Sequence, residues 1–414
     1  MSPTPRLALL VALVGASALV LPAALVALEA LVLAGAAVAD ALAVRRRAGV
    51  SRRVSAVLSR GVASPLELDA DVPPGARTRL RQAAPAALAI RPPEDRGRLR
   101  AQLLPLRRGR HLLPPAALRV EGPLRLMARH RTGSRAEELT VLPDLPAARR
   151  LALAVRSGQF REEGRTSRGP LGLGTEFESV RDYLPDDDIR QVNWGATARL
   201  GRPMSNQYRL EQDRDLICVV DAGRLMAATL GDRSRLDAAL DAVTAVALVA
   251  DEAGDRCGAL AFDTEILRHV RPRRRGSQAV VQALFDLEPS ARDSDYELAF
   301  RAVGASKRSL VLVLCDLVEE SASKPLLEAV PVLARRHHVV VASASDPYLE
   351  LASGAPAGVT EAYSQAVAVD VVGARRRVAR QLARTGAEVL EAPPAALGAA
   401  CVRAYLRAKS RARL

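Results

Sequence analysis

Residues 309–315 read SLVLVLC, an unbroken apolar run of strand length that is followed directly by Asp316. A strand that is apolar at every position is typical of a parallel strand buried on both faces of its sheet. Three more short apolar runs precede an aspartate within two residues, at 216–220, 257–262 and 339–344. Because segments with helical spacing of apolar residues separate these runs, the pattern predicts a doubly wound parallel α/β sheet over residues 212–414.

The aspartates that follow these runs are candidate functional residues, namely Asp221, Asp263, Asp316 and Asp346. The carboxyl ends of parallel strands meet at one edge of a sheet, and open α/β sheets bind ligands there. Clustered carboxylates suit a hard divalent cation, although aspartate after a strand is also ordinary turn and helix-cap chemistry. We therefore predict that Asp221 and Asp316 lie at the same edge of the sheet. A cation site and turn or helix-cap chemistry are both compatible with this placement.

The segment before this sheet, residues 151–211, is unusually aromatic for this chain. Its second part, 172–211, reads GLGTEFESVRDYLPDDDIRQVNWGATARLGRPMSNQYRLE and contains a third of the aromatic residues, including the single tryptophan, Trp194. Rigid aromatic side chains supply contact area at low conformational-entropy cost, so this segment is predicted to form a recognition surface. An ordered connector that packs on the following domain explains the same residues equally well.

The order R-x-Y-x-P-x-D-D-I-R-x-x-N-W, followed by A-x-A-R, occupies residues 181–199. It resembles the signature of the bacterial "domain of unknown function 58" family, with one departure at Asp186, where that family usually has glycine. The resemblance implies an interaction motif made of Glu176, Phe177, Arg181, Tyr183, Asp187, Asp188, Arg190, Asn193, Trp194 and Arg199.

The C-terminal part resembles the von Willebrand factor type A domain, which that family carries at its C-terminal side. In that domain a metal-ion-dependent adhesion site begins with D-x-S-x-S, whereas this chain has D-A-G-R-L from Asp221. Both serine hydroxyls are replaced, at Gly223 and Leu225. The resemblance therefore implies a degenerate metal site of Asp221, Ser294 and Asp316, which is expected to bind Mg²⁺ or another divalent cation weakly.

The N-terminal stretch 7–44 is almost continuously apolar and lies between Arg6 and the basic run 45–47. As one helix it would measure about 57 Å, against a hydrocarbon core of about 30 Å, so two short spans that turn near Pro22 fit better. Positive charge at both ends predicts a hairpin in the bacterial plasma membrane with the soluble domains in the cytoplasm. A signal peptide cleaved near residues 37–39 and a single long anchor are the alternatives.

Between the hairpin and the aromatic segment, short stretches alternate apolar and charged residues, beginning at 66–72, and Pro- and Gly-rich turns separate them. This pattern predicts an antiparallel β-sandwich. A chain of 414 residues is also expected to form more than one core. The predicted division is a transmembrane hairpin (1–44), a β-sandwich (45–150), an aromatic and acidic connector (151–211) and the von Willebrand factor type A-like domain (212–414).

The formal net charge is +14, and nearly all of the positive charge comes from arginine. The arginines are scattered, without interleaved aromatics or a nucleic-acid-binding motif, so no nucleic acid partner is expected. The four cysteines show no C-x-x-C or metal-ligand spacing, and most lie in predicted strands. They are expected to be free, buried thiols in a reducing compartment.

The sequence contains no nucleophile–base pair, histidine metal motif or P-loop, which favours a protein that is not an enzyme. The family resemblance implies a partner, a MoxR-type AAA+ ATPase that acts in protein maturation or complex assembly. We therefore expect a membrane-anchored adaptor with an unknown client. A metal-dependent hydrolase that uses the connector and strand-end carboxylates, or an exported cell-envelope structural protein, would explain the same chain differently.

Overall fold

The computed structural model describes residues 1–45, 49–72, 75–157, 176–184, 187, 189–209, 214–304, 307–318, 320–352 and 359–410. These residues divide into two compact units, Met1–Leu142 and Pro143–Leu414. Among the positions named in the sequence predictions, Arg46 and Arg47 of the basic run and Asp186 and Asp188 of the connector lie outside the described residues.

The described part of the first unit contains two helices, α1 (Pro5–Ser17) and α2 (Ala23–Arg45), and a set of short strands. The strands are β1 (Ser2–Pro3), β2 (Gly49–Arg53), β3 (Val57–Ser59), β4 (Ser64–Asp71), β5 (Arg77–Arg81), β6 (Leu88–Arg91), β7 (Glu94–Arg96), β8 (Arg98–Pro105), β9 (Gly109–Leu113), β10 (Ala117–Glu121), β11 (Met127–Thr132) and β12 (Glu137–Leu142).

These strands form three sheets, in the orders β1-β11-β10-β5-β7, β2-β4-β8-β6 and β3-β12-β9. The alternation at residues 66–72 corresponds to β4, whose Leu66 and Leu68 are buried in a core shared with Leu80 and Leu99. An entirely antiparallel arrangement was predicted, and that is wrong at one place, because β3 and β12 run parallel. Antiparallel pairs need only short turns, whereas β3 and β12 are separated by most of the unit, and strand alternation alone does not specify such a long-range pair.

Helix α2 has 23 residues and is apolar and long enough to cross a membrane. Helix α1 has 13 residues, about 20 Å of helix, which is shorter than the hydrocarbon core of about 30 Å. The two helices contact each other, and Pro22 directly precedes α2, close to the predicted turn. The described apolar stretch is therefore a pair of helices rather than one continuous helix.

Both ends of this helix pair are attached to the hairpin formed by β10 and β11. At the first end, β1 pairs with β11, and the Thr4 amide donates to the Leu126 carbonyl at 3.0 Å. At the other end, the buried Asp40 carboxylate accepts from the backbone amides of Leu124, Leu126 and Met127 at 2.8–2.9 Å. A Cβ atom at Gly122 would lie 2.1 Å from the Asp40 carboxylate, so only glycine fits there.

The second unit alternates strands and helices. In its described residues the helices are α3 (Leu145–Arg156), α4 (Trp194–Leu200), α5 (Arg235–Glu252), α6 (Ser277–Leu284), α7 (Tyr296–Gly304), α8 (Glu320–Ala334), α9 (Pro347–Ala352), α10 (Val359–Arg384) and α11 (Pro394–Ser410). The strands are β13 (Glu176–Asp182), β14 (Met204–Arg209), β15 (Asp215–Asp221), β16 (Thr229–Leu230), β17 (Arg233–Ser234), β18 (Arg256–Phe262), β19 (Ile266–Arg274), β20 (Leu310–Leu314), β21 (His338–Ala344) and β22 (Glu388–Ala392).

The main sheet of this unit has the order β19-β18-β15-β20-β21-β22. Alternate residues of its strands pack on opposite faces: Leu216 and Val220 contact the core with α5, α6 and α11, whereas Ile217 and Val219 contact the core with α7, α8 and α10. All four cysteines are buried and free, and burial raises the pKa of Cys401 to about 12, so its thiol stays protonated. The sheet is thus covered by helices on both faces.

The sequence predicted a purely parallel sheet, and this is wrong for one strand. β19 pairs antiparallel with β18, so the sheet is mixed. The two strands are joined by a tight turn in which the Asp263 amide donates to the Glu265 carbonyl at 3.0 Å. β19 contains four arginines, so it lacks the continuous apolar run by which the other strands were recognised. An edge strand needs no such run, because only part of it is buried.

The boundary between the units also differs from the predicted boundary at residue 150. Helix α3 begins at Leu145 and belongs to the second unit. Its Ala148 and Ala152 are buried in the same core as α5. The predicted boundary therefore falls inside a helix, and the division lies between Leu142 and Pro143.

Candidate functional site

The structure brings Asp221 and Asp316 together at the carboxyl edge of the main sheet. Asp221 ends β15, and Asp316 follows the neighbouring parallel strand β20 by two residues. Both side chains line one cavity of about 210 Å³, together with Ser294. We call the edge around this cavity the rim.

Asp221 is buried and accepts three hydrogen bonds. The Gly223 amide donates to its Oδ1 at 2.7 Å, the Tyr296 hydroxyl donates to its Oδ2 at 2.6 Å, and the Ser294 hydroxyl also donates to Oδ1. Burial raises the pKa of Asp221, and these three donors oppose the rise. A Cβ atom at Gly223 would lie 2.1 Å from the Ser294 hydroxyl, so a serine at this position would clash.

Asp316 is held by two arginines. Arg235 and Arg375 each donate to its Oδ1 at 2.8 Å, and both arginine side chains are 8% exposed. Arg235 also donates to the Ala344 carbonyl at 2.7 Å, and Arg375 contacts Glu391 at 3.3 Å. Burial raises the pKa of Asp316, and the two guanidinium groups oppose that rise. The result is a buried cluster at the rim in which two guanidinium groups hold one carboxyl group.

Neither arginine was identified from the sequence. Arg235 is the first residue of α5, and Arg375 is the first of three consecutive arginines in α10. In a chain with arginines in every segment, nothing in the local pattern distinguishes these two.

These residues do not fit a divalent cation. Among the described residues, no group of three or more His, Cys, Asp or Glu side chains could hold a metal ion. Two guanidinium groups already bind one oxygen of Asp316, and they would repel a cation there. Both oxygens of Asp221 accept hydrogen bonds from protein donors. The weak metal site predicted at Asp221, Ser294 and Asp316 thus has no free set of ligands on which to form.

The aromatic connector forms a small antiparallel sheet of β13 and β14, with a short 3-10 helix (Ile189–Gln191) and α4 between the strands. Asp187 stabilises the first turn. Its carboxylate accepts from Arg181 at 2.6 Å and from the Leu184 amide at 2.9 Å, and its carbonyl accepts from the Tyr183 hydroxyl at 3.0 Å. The Leu184 amide, and then Arg181, lower the pKa of Asp187, which keeps it ionised.

Asn193 fixes the start of α4. Its Oδ1 accepts from the Ala196 amide at 2.9 Å, which is an N-cap, and its Nδ2 donates to the Asn206 side chain at 2.8 Å. Arg199 donates to the Gly195 carbonyl at 3.2 Å on the same helix, and Gly201 ends the helix with φ of 66°. These polar residues of the predicted interaction motif therefore hold the connector in shape.

The large apolar residues of the connector are instead exposed. Trp194 is 70% exposed, although aromatic side chains of this size are normally mostly buried. The other exposed apolar residues of the connector are Leu184, Ile189 and Leu200. Asp188 of the predicted motif lies outside the described residues, as do the side chains of Glu176, Phe177 and Arg190. That the connector lies beside the rim stays a prediction.

The fold and site thus define a two-unit protein with an apolar N-terminal helix and an α/β unit whose sheet edge carries buried, mutually paired charges. The family described as "Protein of unknown function DUF58" matches residues 179–388, just over half of the chain. The chain therefore belongs to the DUF58 family.

The chain is also similar to uncharacterized proteins of Mycobacterium bovis and Mycobacterium tuberculosis, each 27% identical over 183 residues. The alignment covers 42% of this chain and 56% of each relative. The chain thus spans a little more than half the length of these relatives.

Proposed function

We propose that this protein is a non-enzymatic, membrane-anchored adaptor that works with a MoxR-type AAA+ ATPase in protein maturation or complex assembly. The observation that carries the proposal is the exposure of Trp194 on a connector whose shape is fixed by hydrogen bonds from backbone amides to the Asn193 and Asp187 side chains. Interface hot spots are enriched in tryptophan, because this rigid side chain buries a large area at small entropic cost when a partner binds.

Two ion pairs are present among the described residues of the connector. Arg181 is paired with Asp187, and Arg202 contacts Asp182 at 3.2 Å. Among the described residues of the connector, Leu184, Ile189 and Leu200 are exposed besides Trp194 and offer apolar contact area. A partner that covers these side chains gains hydrophobic free energy without having to break the ion pairs.

Replacing Trp194 by alanine is expected to abolish partner capture while leaving the fold intact. Because the side chain is 70% exposed, the free energy of unfolding should change by no more than about 0.5 kcal/mol. Loss of an interface tryptophan costs about 2 kcal/mol or more of binding, which is over tenfold in affinity. The measurement is quantitative mass spectrometry of the ATPase that co-purifies with the tagged full-length protein from membranes of its own host.

The matched control is Tyr363→Ala, which removes an equally exposed aromatic side chain from α10. We expect this variant to retain the wild-type amount of ATPase. If no MoxR-type ATPase co-purifies with the wild type, or if Trp194→Ala retains it fully, the adaptor proposal fails.

The proposed anchor is a hairpin of α1 and α2 that enters the membrane from its cytoplasmic face. This is supported by the attachment of both helix ends to one β-hairpin: β1 pairs with β11 at one end, and Asp40 binds the amides of Leu124 to Met127 at the other. Segments attached to the same hairpin lie on the same side of a bilayer. Removal of a signal peptide would also remove β1 from its sheet, which argues against cleavage.

The topology predicts that the two units are protected in intact spheroplasts. Protease added outside should leave the full-length chain uncut, and lysis of the spheroplasts should expose it to digestion. Immunoblotting against a C-terminal tag measures this, with a periplasmic protein as the control for protease access. Digestion of the units in intact spheroplasts would place them outside the cytoplasm and contradict this part of the proposal.

A further inference from the structure

Helices α1 and α2 form an open groove of about 650 Å³, which we call the hairpin groove. Its walls are apolar side chains of both helices, namely Leu10, Leu13, Val14, Leu28, Val32 and Leu33. At one end, the mouth, lie Arg6 and two leucines of the turn between β10 and β11, Leu124 and Leu126. At the other end the Ser17 hydroxyl donates to Glu29 Oε2 at 2.7 Å and joins the two helices. The hairpin groove thus runs along α1 from a cationic mouth to a polar bridge.

The length of the hairpin groove matches one leaflet of a bilayer. Arg6 and Ser17 mark its two ends on α1, about 16 Å apart at 1.5 Å per residue. The hydrocarbon core of a bilayer is about 30 Å thick, so the acyl chains of one leaflet extend over about 15 Å. A phospholipid whose acyl chain lies along the apolar walls therefore places its headgroup at the mouth.

Arg6 has no structural role at the mouth that the fold explains. Its side chain is exposed, and the one hydrogen bond that it makes to the described residues goes to the Leu124 carbonyl at 3.4 Å. A cation in the first turn of a helix also opposes the helix dipole, so Arg6 does not stabilise α1. Its guanidinium group keeps donors for an anion, and the planar fork of these donors matches a phosphate.

The charges near the mouth favour a lipid with a net negative charge. Arg125 lies in the same turn, between the two leucines that line the mouth. The Asp40 carboxylate at this turn is buried and already accepts from three backbone amides, whereas Glu29 lies at the far end of the groove. A zwitterionic headgroup carries a cation of its own, which the two arginines would repel. Basic sites between membrane helices on the cytoplasmic side are suited to anionic headgroups.

We propose that the hairpin groove binds one anionic phospholipid of the cytoplasmic leaflet, with an acyl chain along the apolar walls and the phosphate at Arg6. This inference rests on the proposed membrane anchor, to which it adds a specific lipid contact. An apolar helix of another protein would fill the same groove but would leave Arg6 without a counter-charge. The lipid therefore fits the hairpin groove better than a helix does.

The test uses the delipidated full-length protein in detergent and two phospholipids with the same palmitoyl and oleoyl chains, phosphatidylglycerol and phosphatidylcholine. Native mass spectrometry measures the fraction of protein that carries one lipid molecule as the lipid concentration rises. We expect phosphatidylglycerol to bind at least about fivefold more tightly than phosphatidylcholine, because one arginine near a membrane surface contributes about that factor.

A pair of charge variants separates a site from general attraction to the membrane surface. Arg6→Gln removes the guanidinium group at the mouth, and we expect it to lower the affinity for phosphatidylglycerol about fivefold and that for phosphatidylcholine by less. Arg45→Gln removes an equally exposed arginine from the end of α2, outside the residues that line the groove. This control should leave both affinities unchanged.

A second pair of variants locates the acyl chain. Ala36→Phe places a large apolar side chain among the residues that line the groove, and we expect it to weaken the binding of both lipids at least about tenfold. Ala30→Phe makes the same change at an exposed position of α2 that is not among the lining residues, so binding should persist. Both variants keep α2 apolar and leave the charges at the mouth in place.

Equal affinity for the two lipids, an equal loss in Arg6→Gln and Arg45→Gln, or full binding by Ala36→Phe would each overturn the lipid proposal. Association of the delipidated protein into dimers that Ala36→Phe makes monomeric would assign the groove to a helix and overturn it as well. These results are distinct from those of the protease and ATPase experiments. Should the units be protected in intact spheroplasts while neither lipid binds, the anchor stands without this site. Digestion of the units there would refute the cytoplasmic anchor itself.

Discussion

Replacing Asp316 by alanine is expected to lower the stability of the α/β unit by about 3–5 kcal/mol. The substitution leaves Arg235 and Arg375 buried, each 8% exposed, with their shared counter-ion removed. Arg375 retains Glu391, but Arg235 retains only the Ala344 carbonyl among its described partners. An uncompensated buried charge costs far more than the lost contacts themselves, and a domain's total stability is only about 5–15 kcal/mol.

A triple variant shows whether the stability loss of Asp316→Ala comes from the uncompensated charges or from lost packing. Arg235→Met, Asp316→Leu and Arg375→Met together remove all three charges and keep apolar volume, so the triple variant should be clearly more stable than Asp316→Ala alone. Hydrogen–deuterium exchange of peptides from β15 and β20 measures both variants in the full-length protein, because exchange reports the stability of each unit separately. Equal protection in wild type and Asp316→Ala would show that the charged cluster does not stabilise the rim.

A second large loss is expected from Asp255→Ala. The Asp255 carboxylate is fully buried and accepts from Lys409 at 2.8 Å and from the Tyr405 hydroxyl, so it joins α11 to the end of α5. Lys409 has a side chain only 2% exposed and would keep, among its described partners, just the Ala253 carbonyl at 3.1 Å. We expect destabilisation of about 3–5 kcal/mol.

The matched control is Tyr405→Phe, which removes one hydrogen bond and no charge and should cost about 1–2 kcal/mol. Combining Asp255→Ala with Lys409→Met should restore part of the stability, since it removes the orphaned ammonium. Urea denaturation followed by exchange of α11 peptides measures these differences. If the double variant loses as much stability as Asp255→Ala and Lys409→Met lose together, the two residues act independently, and the ion-pair explanation is contradicted.

The strand positions of the α/β unit could be predicted because continuous apolar runs mark buried parallel strands. The run 309–315 contains β20, and the run 216–220 lies within β15. β19 was missed because its four arginines interrupt the apolar run by which the other strands were recognised. Such a strand is tolerated at the edge of the sheet, and the local sequence does not show which strand lies at the edge. The β3–β12 pair was missed for a similar reason, since it joins strands far apart in sequence.

The placement of Asp221 and Asp316 followed from topology alone, because neighbouring parallel strands bring their carboxyl ends to one edge. The partners of these residues did not follow. Arg235 and Arg375 reach Asp316 from helices distant in sequence, and a pattern search for metal ligands passes over arginine. In the connector, the sequence identified Asp187 and Asn193 but not their hydrogen bonds, which hold the segment in shape.

The most direct test of the central claim is the affinity of the purified full-length protein for the purified MoxR-type ATPase of the same host, measured in detergent with and without EDTA. The adaptor proposal predicts saturable binding that persists in EDTA, weakens more than about tenfold in Trp194→Ala and is unchanged in Tyr363→Ala. Absence of binding by the wild type, or binding that Trp194→Ala leaves intact, would contradict it.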